Sequence, residues 1–250
     1  MKVLGLDSAT WTASVGVVDG EQILAERSTP ATTSHAVSLV GLIDATLADA
    51  GLGIGDLDLM AVSIGPGSFT GLRIGLSVAK GLSLATGVPL VAVPTLEALA
   101  RVARGRSGVI CAALDARKGE VYMAAFRDEG ETMETVIAPA AVSLDQFLLR
   151  LPSPCTIVGD AIEAYEGRLR PRLGPGVEIL PFTRVAPRGS VVASLGRRRF
   201  AVAGAVSLEV LEPVYIRPSE AELNTRQGQT RSGGSPRIVE SNPAEQKLTG

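Results

Sequence analysis

The same order of predicted elements occurs twice in this chain, and this repetition limits the fold more than any other feature. In the first half, strands at residues 3–7 and 12–18 are joined by a short turn that begins at Asp7. In the second half, strands at 109–115 and 120–127 are joined by a turn that begins at Asp115. Two such halves, each ordered βββαβαβα, predict a duplicated α/β protein in which each half contains a mixed sheet.

Hydrophobic periodicity and turn residues set the other predicted boundaries. In the first half, Asp19 and Gly20 predict a hairpin, and Ser34 is a candidate cap for the first helix. Further strands are predicted at 22–27, 59–64 and 89–93, with helices starting near Ser34 and at 69–86 and 95–104. In the second half, strands are predicted at 132–138, 155–158 and 177–180, with helices at 144–151, 162–169 and 191–203. The predicted domains are 1–105 and 106–218, followed by a disordered tail at 219–250 that has scarcely any apolar residues.

Composition excludes several classes of function. A formal net charge of −2 gives no broad basic surface for autonomous binding of nucleic acid. Cys111 and Cys155 have no second Cys or His at metal-ligand spacing, so no metal site is expected. No apolar run approaches the roughly 20 residues that span a bilayer, and no secretory signal is evident. We therefore expect a cytoplasmic protein with no membrane partner.

The glycine-rich segment from Gly65 to Gly75 lies between a predicted strand and a predicted helix. Backbone N–H groups at such a position can receive a phosphate. A P-loop requires Lys and then Ser or Thr after its last glycine, whereas Leu72 and Arg73 follow Gly71 here. Along the helix, small residues recur every four positions and form a stripe: Gly71, Gly75, Ala79 and Ser83. The stripe indicates close packing, either within the chain or at a subunit interface, and phosphate binding at the turn remains a third hypothesis.

The two aspartate turns are candidates for a nucleotide cleft. Facing hairpins could hold phosphates and a metal ion through residues of both turns: Asp7, Ser8, Thr10, Asp115 and Lys118. The alternative is that each aspartate forms its own turn by hydrogen-bonding nearby backbone, which is the commoner role at a strand end.

The sequence contains no recognisable set of catalytic residues. His35 is the only histidine in the sequence. We therefore expect neither a pair of metal-binding histidines nor a catalytic triad within this chain. No serine lies in a G-x-S-x-G turn, which disfavours a serine hydrolase. We therefore expect no catalytic residues, no metal and no cofactor of its own.

Three segments carry a resemblance to a known family. Residues 65–93, the run Asp-Ala-Arg-Lys-Gly-Glu-Val-Tyr that starts at Asp115, and the run Pro-Val-Tyr-Ile-Arg that starts at Pro213 resemble the bacterial TsaB family of tRNA threonylcarbamoyladenosine biosynthesis proteins. The resemblance covers roughly residues 1–218. It implies an actin-like, duplicated RNase H-like fold, in agreement with the repeated pattern of strands and helices.

The resemblance also implies a role without catalysis. The catalytic relative TsaD carries an H-x-x-x-H metal motif in the segment that corresponds to Pro94–Leu99, where this chain has Thr95 and Leu99. The implied function is that of a partner of TsaD and an ATPase subunit, TsaE, in forming threonylcarbamoyladenosine beside the tRNA anticodon. The chain would meet tRNA indirectly, and ATP or ADP could bind within the complex.

Family likeness implies that the first two helices form the partner surface. The residues predicted for it are the apolar set Leu39, Ile43 and Leu47 together with the small-residue stripe Gly71, Gly75, Ala79 and Ser83. The same patch could form a homodimer when the partner is missing. The alternative function is an independent actin-like phosphotransferase or ATPase that uses Asp7 and Asp115 to organise a metal nucleotide.

Overall fold

The computed structural model describes residues 1–30, 35–106 and 108–216, except for the side chains of 35–38. Ser34, the His35 side chain and the tail predicted at 219–250 lie outside this part of the chain. The first half contains β1 (Lys2–Asp7), β2 (Thr12–Asp19), β3 (Gln22–Pro30), α1 (His35–Asp49), β4 (Leu59–Ser63), α2 (Phe69–Thr86), β5 (Leu90–Val93) and α3 (Thr95–Val102). The second half contains β6 (Val109–Asp115), β7 (Glu120–Asp128), β8 (Met133–Ser143), α4 (Leu144–Arg150), β9 (Cys155–Val158), α5 (Ala161–Ala164), α6 (Glu166–Leu169), β10 (Val177–Ile179), α7 (Phe182–Val185) and α8 (Gly189–Ala203).

The strands form two five-stranded mixed sheets of identical topology. Their orders are β3-β2-β1-β4-β5 and β10-β9-β6-β7-β8, so β1 and β6 occupy the central position. In the first sheet, β1 pairs antiparallel with β2 and parallel with β4. In the second, β6 pairs antiparallel with β7 and parallel with β9. This arrangement confirms the predicted duplicated RNase H-like fold.

Two helices pack across the boundary between the halves. Helix α8 belongs to the second half in sequence but packs on β1, β2, β4 and β5 of the first sheet. Helix α3 belongs to the first half but packs on β6 and β7 of the second, where Leu96 and Leu99 join a core cluster with Ile110 and Phe126. One face of each sheet is therefore covered in part by a helix from the other half.

Glycines bring α8 into backbone contact with the first sheet. A Cβ at Gly5 would lie 2.0 Å from the Gly189 carbonyl oxygen, and one at Gly16 would lie 2.2 Å from the Ser190 nitrogen. Polar contacts fix the same helix end, because the Gly189 N–H donates to Ser14 Oγ at 3.0 Å and the Ser190 N–H donates to Glu26 Oε1 at 3.0 Å. Side chains larger than hydrogen at Gly5 or Gly16 would force the helix away from the strands.

Local structure differs from the sequence prediction in the second half. The single helix predicted at 162–169 is wrong: α5 and α6 are separated by Tyr165, which has φ −127° and ψ 30° and directs its hydroxyl to Asp115. Strand β8 is longer than predicted and continues past Pro139. It tolerates this proline because it is the edge strand and its register shifts there.

Within the described residues, no helix is both long enough and apolar enough to cross a membrane.

We expect Gly16→Ala to destabilise the protein by about 2 kcal/mol or more, because the new methyl group would overlap the backbone of α8. Urea unfolding followed by circular dichroism measures the effect. Gly41→Ala is the matched control, since a Cβ at this exposed position of α1 meets nothing within 4 Å. The control should gain about 1 kcal/mol from helix propensity. Equal stability of both variants would contradict the close approach of α8.

Candidate functional site

The first candidate site is the turn between β1 and β2, where Asp7 is fully buried. Its Oδ1 accepts a hydrogen bond from the Ala9 N–H at 3.2 Å. Asp7 Oδ2 and the Ser63 hydroxyl at the end of β4 each lack a hydrogen bond of normal geometry to any described residue. Burial raises the pKa of Asp7 to about 6, and the nearby Ser63 hydroxyl and the Ala9 amide offset this only in part.

Helix α2 packs tightly against the rest of this turn. The Ser8 hydroxyl donates to the Gly71 carbonyl at 2.8 Å, and the Ser68 N–H donates to the Ala9 carbonyl at 2.7 Å. A Cβ at Gly71 would lie 2.0 Å from the Ser8 carbonyl oxygen, and one at Gly75 would lie 2.2 Å from Ser8 Oγ. The glycines of the stripe therefore let α2 approach the turn within the chain.

Thr10 closes the turn on its other side. Its hydroxyl donates to the Thr12 carbonyl at 3.2 Å and accepts from the Thr12 N–H at 3.3 Å. Asp7, Ser8 and Thr10 thus lie in one turn, as the sequence indicated, and each makes contacts to neighbouring backbone. Their use by a nucleotide stays a prediction.

The residues predicted for the partner surface all lie in the interior. The Ser83 hydroxyl donates to the Val88 carbonyl at 2.7 Å. The apolar members join one core cluster with the first sheet: Leu39, Ile43, Leu47 and Ala79. A partner that meets α1 and α2 would therefore contact their outward face instead. That face includes Val40 and Leu84, whose side chains are 50% and 80% exposed.

The turn before α2 uses several of its amides within the chain. The Gly71 N–H donates to Ser68 Oγ at 3.2 Å, which caps the helix. The Gly65 N–H donates to Thr95 Oγ1 at 3.0 Å, and the Thr95 N–H donates to the Gly65 carbonyl at 2.9 Å. Fewer donors therefore remain for a phosphate at this turn. Thr95 and Leu99 are fully buried and join the core.

The second candidate site is the turn between β6 and β7, where the Asp115 carboxylate makes three contacts with Tyr165 and Arg117. Its Oδ1 accepts from the Tyr165 hydroxyl at 2.6 Å and from the Arg117 N–H at 2.8 Å, and its Oδ2 pairs with the Arg117 guanidinium at 3.1 Å. Arg117 and Lys118 have φ of 65° and 54°, which residues other than glycine rarely adopt. The aspartate and Lys118 therefore share a strained, internally bonded turn.

Two residues of this second site were missed from the sequence. Asp160 Oδ1 accepts from the Asp115 N–H at 2.8 Å, and burial raises the pKa of Asp160 to about 6. The Tyr165 hydroxyl bridges Asp115 and the Gly119 N–H, which donates to it at 3.2 Å. Both lie about 50 positions from the turn, and no local pattern signalled their contact. Of the described residues, no group of three His, Cys, Asp or Glu is placed to bind a metal.

We expect Asp7→Asn to reduce the pH dependence of the free energy of unfolding between pH 4 and 7. The pKa of Asp7 is raised on folding, so its contribution to stability is complete at acid pH and is lost as the pH rises through about 6. The variant lacks this titration and should lose less stability over that range. Chemical denaturation at several pH values measures it, with the exposed Asp44→Asn as control. An unchanged slope in Asp7→Asn would contradict the burial of an ionisable group there.

Comparison with known proteins agrees with this architecture. Residues 23–179 match the family model for TsaD, tRNA N6-adenosine threonylcarbamoyltransferase. The chain is 30% identical over 225 residues to the tRNA threonylcarbamoyladenosine biosynthesis protein TsaB of Bacillus subtilis, which covers 89% of this chain and 96% of that protein. It is 32% identical over 236 residues to TsaB of Escherichia coli, covering 88% of this chain and 96% of that protein.

A solved structure supports the same assignment. YeaZ from Pseudomonas aeruginosa superposes with a TM-score of 0.73 at 27% identity, covering 86% of this chain and 99% of that one. Sequence identity over most of both chains and a shared fold lead to one conclusion: the chain belongs to the TsaB family of tRNA threonylcarbamoyladenosine biosynthesis proteins.

Proposed function

We propose that the chain is a non-catalytic subunit required for forming threonylcarbamoyladenosine at the adenosine beside the tRNA anticodon. Membership of the TsaB family places it in this biosynthesis. In the proposal it pairs with the catalytic relative TsaD and with the ATPase subunit TsaE in the cytoplasm. It would meet tRNA through the complex, and ATP or ADP would bind within that assembly.

The observation that carries the non-catalytic role is the burial of the segment that corresponds in position to the metal motif of TsaD and lacks its histidines. Thr95 accepts a hydrogen bond from the Gly65 N–H, and Leu99 packs in the core of the second sheet. Neither side chain offers an imidazole to a metal ion. The contacts of Ser8 with α2 also support this role, because they occupy part of the turn that a bound nucleotide would need.

Reconstitution tests the proposal directly. We expect threonylcarbamoylation of tRNA by TsaD, TsaE and the activated threonylcarbamoyl donor to require this chain, with no product from the chain alone. Product formed equally well without the chain would contradict the proposal. Tight ATP binding and turnover by the purified chain, lost in Asp7→Asn, would instead support an independent phosphotransferase or ATPase.

The partner surface is proposed to be the outward face of α1 and α2, where Leu84 is 80% exposed. A substitution at Gly75 would not test this surface, since a Cβ there would strike Ser8. We expect Leu84→Arg to weaken binding to TsaD by about tenfold or more, because burying an unpaired charge in an interface is costly. It should equally weaken any homodimer.

The matched control is Leu149→Arg on α4, which changes a leucine of 85% exposure in the same way. Ultracentrifugation of each variant, alone and with TsaD, measures both associations. Unchanged binding by Leu84→Arg, or equal losses in both variants, would contradict the assignment of this face.

A further inference from the structure

A polar cavity of about 360 Å³ lies between the first sheet and the segment that connects α7 to α8. Ser14 and Ser28 line it from β2 and β3, and Thr183, Arg184 and Arg188 line it from the other side. None of these residues belongs to the aspartate turns or to the proposed partner surface. The cavity is therefore a separate feature of the molecule.

Two arginines make the cavity positively charged. No carboxylate among the described residues forms an ion pair with Arg184 or Arg188, whose side chains are both exposed. Glu26 also lines the cavity, but its Oε1 accepts hydrogen bonds from the Ser190 N–H at 3.0 Å and the Ser190 hydroxyl at 2.8 Å. The lining thus contains two guanidinium groups and one carboxylate, and the carboxylate already accepts hydrogen bonds from Ser190. A ligand rich in acceptor oxygens fits this lining.

An exposed aromatic ring packs on Phe182, the residue that precedes Thr183 of this lining. Trp11 stacks on Phe182, with ring centroids 5.0 Å apart and planes inclined by 26°. Phe182 is buried and directly precedes Thr183 of the cavity, whereas Trp11 is 51% exposed. Because Phe182 covers one face of the indole, the exposed part of Trp11 can stack on a further flat ring, as in sites for single-stranded nucleic acid.

We propose that this cavity binds the phosphate group of a nucleotide, with Arg184 and Arg188 as its ligands and the attached base against Trp11. Guanidinium groups match phosphate oxygens in paired hydrogen bonds, and the hydroxyls of Ser28 and Thr183 supply further donors. The phosphate belongs either to a free nucleotide or to an RNA backbone. The proposal does not depend on the role of the chain in a complex with TsaD.

The chain contains one tryptophan, so its fluorescence reports on this place alone. Titration of the full-length protein with pyrophosphate, AMP and a short oligouridylate, repeated by equilibrium dialysis, measures binding. We expect saturable binding that the double variant Arg184→Gln/Arg188→Gln weakens by about tenfold or more. Arg150→Gln, which removes one positive charge at an exposed position of α4, should bind as the unaltered protein does.

The probes separate the two sources of phosphate. Binding of the oligouridylate without AMP or pyrophosphate supports an RNA backbone, and binding of the small phosphates in competition with the oligouridylate supports a free nucleotide. Circular dichroism establishes that the double variant is folded, as expected for two exposed side chains. The proposal is overturned if no probe binds saturably, or if the double variant binds as well as Arg150→Gln does.

Discussion

The backbone contact between α8 and the first sheet is the constraint on which the remaining architecture depends. Gly5 and Gly16 stand opposite one another on β1 and β2, and Gly189 of α8 lies against both. The contact joins the C-terminal half to the N-terminal sheet, while α3 makes the reciprocal contact with the second sheet. The halves therefore share their cores, and damage at this contact should unfold both.

The two halves have the same topology, yet their aspartate turns are stabilised by different means. In the first turn, Ser8 packs against the glycines of α2. Asp7 is buried there, and its Oδ2 makes no hydrogen bond of normal geometry to any described residue. In the second turn, Tyr165 and Asp160 hold Asp115 through hydrogen bonds. The two halves thus share one topology, whereas the chemical surroundings of the two carboxylates differ.

The small-residue stripe of α2 is one sequence pattern that agrees with more than one hypothesis. Small residues every four positions fit both a subunit interface and packing within the chain. The structure places Gly71 and Gly75 against Ser8, so these positions serve the interior. A partner that meets this helix would contact its opposite face, which carries Leu84. The distinction matters for mutagenesis, because substitutions on the two faces test different properties.

The sequence by itself determined the order of the strands, the duplicated topology and several boundaries. Helix α2 begins after its cap Ser68 and ends before Gly87, which has φ 74°, and both signals are local. Only the tertiary structure decided that α8 covers the first sheet and that Tyr165 reaches Asp115. It also decided that Leu39 is buried in the core against the first sheet. Caps and periodicity act over a few residues, whereas contacts between distant residues depend on how whole elements pack, which local spacing does not encode.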